Sequence, residues 1–336
     1  MNRAGARIES VGSYLPPRVV TSREIEEQLA STAPIGWLQE LTGVETRRVA
    51  EAGTTSSALS LLALRDALSR SSHEPRDIDC LIVGSVCPDF GEPATANVIQ
   101  EALGLCGAGF DVNNACNGFL TSLQIAESFI ATGAYRCIAI VCGEMISPFI
   151  PWHLAEQPSE TLKHIGALTL GDGAGAVIVT AAEEADGGGR ILAMRFMTDP
   201  SLWREATVLG GGSMYPHQDD KHWFLSRPRK LFEAAEEHVP ILIDDVLAAA
   251  GWTRDDVDLI VPHQVSLQMT DKLLALFDGG RDMAVVTYPM YGNNAAASQP
   301  IALDEARKRG RLTTGTNVLF VACAAGFAAG VAAARW

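Results

Sequence analysis

The chain is short of charge. Asp, Glu, Lys and Arg make up only 20% of its 336 residues, against 47% apolar ones. That balance argues against a disordered chain and leaves ample material for packed cores. Basic residues are scarcer still: 26 Lys and Arg face 40 Asp and Glu, a net charge of −14. Such an excess disfavours nucleic acid or an anionic membrane as a partner. Paired cysteines are missing too. The seven cysteines stand at 80, 87, 106, 116, 137, 142 and 323, and none forms a CxxC pair. An odd, scattered set points away from a disulfide framework or zinc site and towards a reduced, cytoplasmic setting. HExxH, EF-hand and Walker sequences are absent, so no metal and no nucleotide hydrolysis are expected. The N-terminal MNRAGARIES is too polar for a signal peptide. The uncharged stretch Val318–Ala334 is rich in Ala and Gly and shorter than the roughly 20 residues of a membrane span. It reads as two buried strands joined by a glycine turn.

What is present is an alternation. Short apolar runs read as buried strands: Cys80–Val83, Cys137–Cys142, Ala176–Val179, Leu259–Val261 and Val285–Thr287. Helical stretches lie between them: Ser56–Ser69, Gly118–Thr132, Lys230–Ala250 and Leu303–Arg309. This is an α/β protein with largely buried strands. HEPRDID leads into CLIV in the first half, and GWTRDDVD leads into LIVP in the second. Each half then closes on a glycine-rich strand, LTLGDGAGAVIV or ACAAGFAAGVAA. The repeat suggests a duplicated unit, with halves 1–183 and 184–336. The run Glu183–Gly189 reads equally as their hinge or as an ordinary exposed loop.

The sharpest local signal is GFDVNNACNGFL, residues 109–120. Phe110–Val112 reads as a strand end and Gly118 opens a helix, so Cys116 sits at a sharp turn. A helix N-terminus favours a thiolate. On this pattern alone, a nucleophile and a buried structural cysteine stand equal. His263 differs from the other six histidines, which lie in polar or irregular sequence. It follows the apolar strand in VPHQV, where α/β proteins build ligand sites. Asn293, in YGNNAAAS, offers an amide donor after another apolar run. GDGAGA, residues 171–176, lacks GxGxxG spacing and precedes a strand, so tight backbone packing fits better than a phosphate loop.

FDVNNACNGFL, VPHQV, YGNNAAAS and GDGAGA occur in the order and approximate spacing of the ketoacyl synthase III family of the thiolase superfamily, which the chain resembles over nearly its whole length. The resemblance implies a thiolase-like fold: two duplicated α/β halves in a five-layered αβαβα arrangement. It implies a Cys-His-Asn site, with Cys116 in the first half and His263 and Asn293 in the second. Cys116 would take an acyl group from a coenzyme A or carrier-protein thioester. His263 and Asn293 would hold the carbonyl of a malonyl unit as it loses carbon dioxide and condenses. The backbone N–H groups of Cys116 and Ala325 would hold the acyl oxyanion. Trp37 and His164 match positions that stack on coenzyme A. Arg229, in the basic cluster Ser226–Lys230, and Phe232 complete the expected substrate contacts. No cofactor is implied beyond the coenzyme A or phosphopantetheine that carries the substrates. A homodimer is implied, its N-terminal halves pairing edge to edge.

The chain departs from the family pattern in places. Ala324-Ala325-Gly326 stands where a triple-glycine turn is usual, which puts the turn geometry in question. Gln268 replaces a basic residue that helps dock the acidic carrier protein. The segment Ile146–Pro158 is longer than usual. These departures suggest a specialised polyketide or secondary-metabolite pathway, with housekeeping fatty-acid initiation the alternative. Acyl transfer to a hydroxyl or amine without condensation is one alternative, and a catalytically silent scaffolding subunit is another.

Overall fold

The computed structural model describes residues 5–29, 34–152, 164–182, 189–218 and 221–336. Nine strands, numbered in chain order, form its main sheet: β1 Gly5–Tyr14, β2 Cys80–Val83, β3 Ala108–Asp111, β4 Cys137–Glu144, β5 Gly173–Ala182, β6 Arg190–Thr198, β7 Leu259–Pro262, β8 Asn317–Ala324 and β9 Ala328–Arg335. Six helices pack on it: α1 Ser56–Leu68, α2 Thr95–Leu103, α3 Gly118–Thr132, α4 Pro228–Ala250, α5 Leu267–Leu274 and α6 Ser298–Lys308.

The strand order is β7-β8-β9-β6-β1-β5-β4-β2-β3. Side chains alternate across each strand, and the two faces bury different clusters. Cys80 and Ile82 of β2 and Val318 and Phe320 of β8 point inward, onto α3 and α6. Leu81 and Val83 face α1 and α2, and Leu319 and Val321 face α4 and α5. The result is five layers: α1 and α2, five strands, α3 and α6, four strands, α4 and α5.

The two halves repeat the same pairings. In the first, β1–β5 and β5–β4 are antiparallel and β4–β2 is parallel. In the second, β6–β9 and β9–β8 are antiparallel and β8–β7 is parallel. The repeated acidic triplets have matching work. Asp79 accepts from the Cys137 N–H at 3.1 Å, and Asp258 from the Asn317 N–H at 2.8 Å. Each carboxylate thereby ties its own strand to the start of the parallel neighbour.

Three expectations are refined. The two sheets are one, joined through the single Arg7–Arg190 pair. Val285–Thr287 is not a strand. The Gln264 side chain takes the place of a strand partner, donating to the Val285 carbonyl at 3.0 Å and accepting from the Thr287 and Tyr288 N–H groups. Only the neighbouring Ala284 keeps a bridge, to Ile260. The last helix begins at Ser298, one and a half turns before the sequence suggests. The run expected to divide the halves lies outside the described residues except for Gly189, whose carbonyl accepts from the Ile8 N–H. Val318–Ala334 does form a hairpin, β8 and β9. Among the described residues no helix is long and apolar enough to cross a membrane.

Candidate active site

Cys116 lies between the end of β3 and the start of α3. Gly118 opens that helix against the Gly84 carbonyl: a Cβ there would stand 2.3 Å from the Gly84 oxygen. The lack of a side chain is what lets the helix start so close to the sheet. One residue before the cysteine, Ala115 has φ of 45°, a region that costs a non-glycine residue free energy. The Asn113 side chain braces it by accepting from the Ala115 N–H at 3.1 Å.

His263 continues β7, and its own N–H donates to the Val321 carbonyl of β8 at 2.8 Å. Gln264, 1% exposed, pins the next position. The imidazole Nδ1 lies 2.6 Å from the Ser298 hydroxyl, and Nε2 has no hydrogen-bond partner among the described residues. Asn293 is fixed by the GDGAGA segment. Its N–H donates to the Thr169 carbonyl, and its carbonyl accepts from the Gly171 N–H. A Cβ on Gly171 would stand 2.2 Å from the Tyr291 carbonyl, so this motif serves close packing. The Asn293 Oδ1 accepts from the Ala295 N–H at 2.9 Å. Because that donor is a backbone N–H, the atom it meets is the oxygen, and the NH2 is the end left for the cavity.

The fourth element is the β8–β9 turn. Ala324 pairs with Ala328, and the left-handed positions are Gly326, at φ 82°, and Phe327, at φ 40°. Neither Ala324 nor Ala325 carries a positive φ, so alanine does not disturb the turn where the family usually has glycine. The backbone N–H groups of Ala325 and Cys116 both face the Cys116 sulfur. Three strained non-glycine residues, Ala115, Ala295 and Phe327, thus lie one or two positions from Cys116, Asn293 and Ala325.

All four converge on one cavity of about 620 Å³. Its walls are mainly apolar, with Ile165, Phe224, Leu231, Phe232 and Met269 among them. Its only carboxylates are Glu40 and Asp271, and no Lys or Arg lines it among the described residues. A second cavity of about 140 Å³, under α4 and α5, shares His263, Val265, Met269 and Cys323 with it.

The electrostatics correct one expectation. A helix N-terminus alone does not make Cys116 a thiolate here. Burial and the nearby Glu144 push its thiol up to about 12, against the pull of the two backbone N–H groups. Burial pushes His263 down to about 4, so its imidazole is neutral at neutral pH. Cys116 therefore rests as a thiol at neutral pH. Glu144, at the end of β4, escaped the sequence reading. Burial raises it to about 8, although the backbone N–H groups of Val86, Ala296 and Cys87 pull it down.

Of the expected substrate contacts, Phe232 lines the cavity and three do not. Arg229 is 83% exposed and faces Glu233 at 3.6 Å. Its neighbour Lys230 is drawn to Glu205 at 2.9 Å, so two of the cluster's three cations face acids. His164 is buried, with Nδ1 3.3 Å from the Phe224 carbonyl. Trp37 is packed against the buried cluster that includes Leu38, Ile146 and Leu170, while Glu40 and Leu41 of its short helix reach the cavity wall instead. Residues 153–158 of the long segment lie outside the described residues.

The sequence matches the family described as 3-Oxoacyl-[acyl-carrier-protein (ACP)] synthase III over residues 110–200, and that family's C-terminal region over residues 247–336. It is 30% identical to the beta-ketoacyl-[acyl-carrier-protein] synthase III of Caldanaerobacter subterraneus subsp. tengcongensis, across 99% of this chain and 98% of the relative. It is 31% identical to the Xylella fastidiosa enzyme of the same name, across 99% of both. The structure resembles the crystal structure of 3-oxoacyl-[acyl-carrier-protein] synthase III from Aquifex aeolicus, with TM-score 0.86 and 29% identity over 99% of this chain and 100% of that one. It shares its fold with OleA of Xanthomonas campestris, with TM-score 0.90 and 23% identity over 99% and 98%.

Proposed function

Because the chain belongs to the 3-oxoacyl-[acyl-carrier-protein] synthase III family of condensing enzymes, we propose that it catalyses acyl transfer to Cys116 followed by decarboxylative condensation. The donor is an acyl thioester of coenzyme A or of an acyl carrier protein. The Cys116 sulfur gives up its proton as it attacks the thioester carbonyl, and the C–S bond to the carrier breaks. The leaving thiolate recovers the proton. During the attack, negative charge grows on the acyl oxygen, where the N–H groups of Cys116 and Ala325 meet it.

A malonyl-type thioester then enters. The bond to its carboxylate breaks, carbon dioxide leaves, and the electron pair stays behind as an enolate. The enolate carbon attacks the acyl carbonyl, a carbon–carbon bond forms, and Cys116 departs and is reprotonated. What carries this reading is the Asn293 amide. With Oδ1 tied to the Ala295 N–H, its NH2 faces the cavity shared with Cys116 and His263, where enolate charge would develop.

The apolar walls suit an acyl chain, and the lack of lining cations favours contacts through the pantetheine arm rather than through phosphates. The departures at Gln268 and in the segment from Ile146 support a specialised pathway. The half-buried edge strand β3 is the surface through which a homodimer would form. The test is incubation with a panel of acyl-coenzyme A and acyl-carrier thioesters, followed by malonyl thioester. Cys116 should gain the acyl mass, and carbon dioxide should then be released in step with ketone formation. Persistent acyl-enzyme without carbon dioxide release would refute condensation.

A further inference from the structure

A neutral imidazole has one N–H, and its partner decides which nitrogen carries it. The condensation proposed above has His263 hold the malonyl carbonyl beside Asn293 as it becomes an enolate, and that role needs the hydrogen on Nε2. Among the described residues the one hydrogen-bond partner of Nδ1 is the hydroxyl of Ser298, itself 2% exposed at the start of α6. That hydroxyl lies 2.6 Å from Nδ1 and 2.9 Å from the Ala295 carbonyl, and it has one proton for the two. With the hydroxyl hydrogen directed at the Ala295 carbonyl, Nδ1 must donate and Nε2 is left a bare acceptor. Directed at Nδ1, it makes Nδ1 the acceptor and Nε2 the N–H. The separation favours the second arrangement. It is short of the roughly 2.7–3.2 Å usual for N–H···O bonds, and hydroxyl donors make the shorter bonds.

We infer that Ser298 is a positioning residue that donates to His263 Nδ1 and so holds the ring as its Nε2–H tautomer. The same short segment then turns both side chains into donors. The Ala295 N–H takes Asn293 Oδ1 and leaves the NH2 free, and Ser298 takes His263 Nδ1 and leaves Nε2–H free. Ala295 itself sits at φ 45°, so the strained residue is the one from which Asn293 is aimed. Burial, which holds His263 neutral, is what makes the tautomer matter. The tautomer does not prevent loading, in which the thiol proton passes to the leaving thiolate and Nδ1 stays engaged with Ser298.

This inference rests on the condensation reading, so its test has a readout that does not. The full chain is labelled with 15N-histidine, and the ring nitrogens are observed by two-bond 1H–15N correlation at pH 7. His263→Gln identifies the signals. Wild type should show Nδ1 unprotonated and Nε2 protonated. Ser298→Ala should lose that single pattern. It should keep acylation of Cys116 within about threefold while decarboxylation and condensation fall about 10- to 100-fold, part of the loss expected for a missing oxyanion donor. Ser298→Thr, which keeps a hydroxyl, should restore both the pattern and most of the condensation rate. Thermal unfolding checks that each variant is folded. A wild-type ring protonated on Nδ1 would overturn the inference. So would an Ser298→Ala enzyme whose loading and condensation fall equally with the tautomer unchanged. A wild type that loads Cys116 but releases no carbon dioxide refutes the condensation reading instead, and the ring spectrum still decides the role of Ser298.

Discussion

Replacing Glu144 with Gln should make Cys116 more reactive, and only at high pH. The carboxyl is fully buried and titrates near 8. At pH 7 about one molecule in ten carries its charge, and at pH 9 about nine in ten, by the ordinary titration relation. Its charge is the second cause, after burial, that raises the Cys116 thiol. At an effective dielectric near 20, two unit charges interact by about 4 kcal/mol at 4 Å and about 2 kcal/mol at 8 Å. Taking half of that for relaxation gives about one pKa unit, or tenfold in thiolate. Gln resembles the protonated carboxyl in shape and keeps one oxygen for the Val86 N–H, which now meets both carboxyl oxygens at 3.1 and 3.3 Å. Alkylation by iodoacetamide, read on the Cys116 peptide by mass spectrometry, should be about five- to tenfold faster in Glu144→Gln at pH 9. At pH 7 the two should agree within twofold. Stability should follow the same titration. A carboxyl raised in the folded state favours folding below the unfolded value and loses that contribution as pH rises towards its folded value. The variant's melting temperature should therefore gain on wild type as pH rises from about 4.5 to 8. A rate ratio unchanged between pH 7 and 9 would refute the reasoning.

Gly118→Ala pushes a Cβ to 2.3 Å from the Gly84 carbonyl oxygen. The start of α3 must shift by about 1 Å, costing about 1–3 kcal/mol in stability and about 100-fold in Cys116 acylation; melting curves and intact mass read both, and normal acylation would show that the helix start is not critical. Arg229→Ala should change the KM for an acyl-coenzyme A donor by less than about twofold, because the side chain lies outside the cavity beside Glu233. A tenfold rise in KM would mean that the side chain swings onto the substrate.

How much of this was legible in the sequence follows from how local each feature is. Cys116 stood out because an apolar strand, a short polar turn and a helical pattern follow one another within a dozen residues. His263 stood out because it ends a continuous apolar run. Asn293 needed the motif, since an Asn in a loop has many structural uses. The repeated acidic triplets disclosed the duplication because they do the same local work at two strand starts. Glu144 and Ser298 were missed because their partners are distant in the chain: Val86 is 58 residues from Glu144, and His263 is 35 from Ser298. Trp37 and His164 sit at matching positions and Arg229 in a basic cluster, yet position does not fix a side chain's direction. Glu233 and Glu205 draw the basic cluster outward, and the Phe224 carbonyl lies beside the His164 ring. The join at Arg7–Arg190 is a single pair and has no pattern to read.

The central claim is that the Asn293 amide stabilises an enolate. Asn293→Asp tests it most directly, in a single-turnover assay scored separately for acyl-enzyme and for condensed product. A carboxylate at 293 can still accept from the Ala295 N–H but repels an enolate oxygen. The account predicts that Asn293→Asp acquires the acyl group on Cys116 at near wild-type rate and forms product about 100- to 1000-fold more slowly. A variant that condenses at the wild-type rate would contradict it, and would point to acyl transfer in which an acid at 293 merely orients His263.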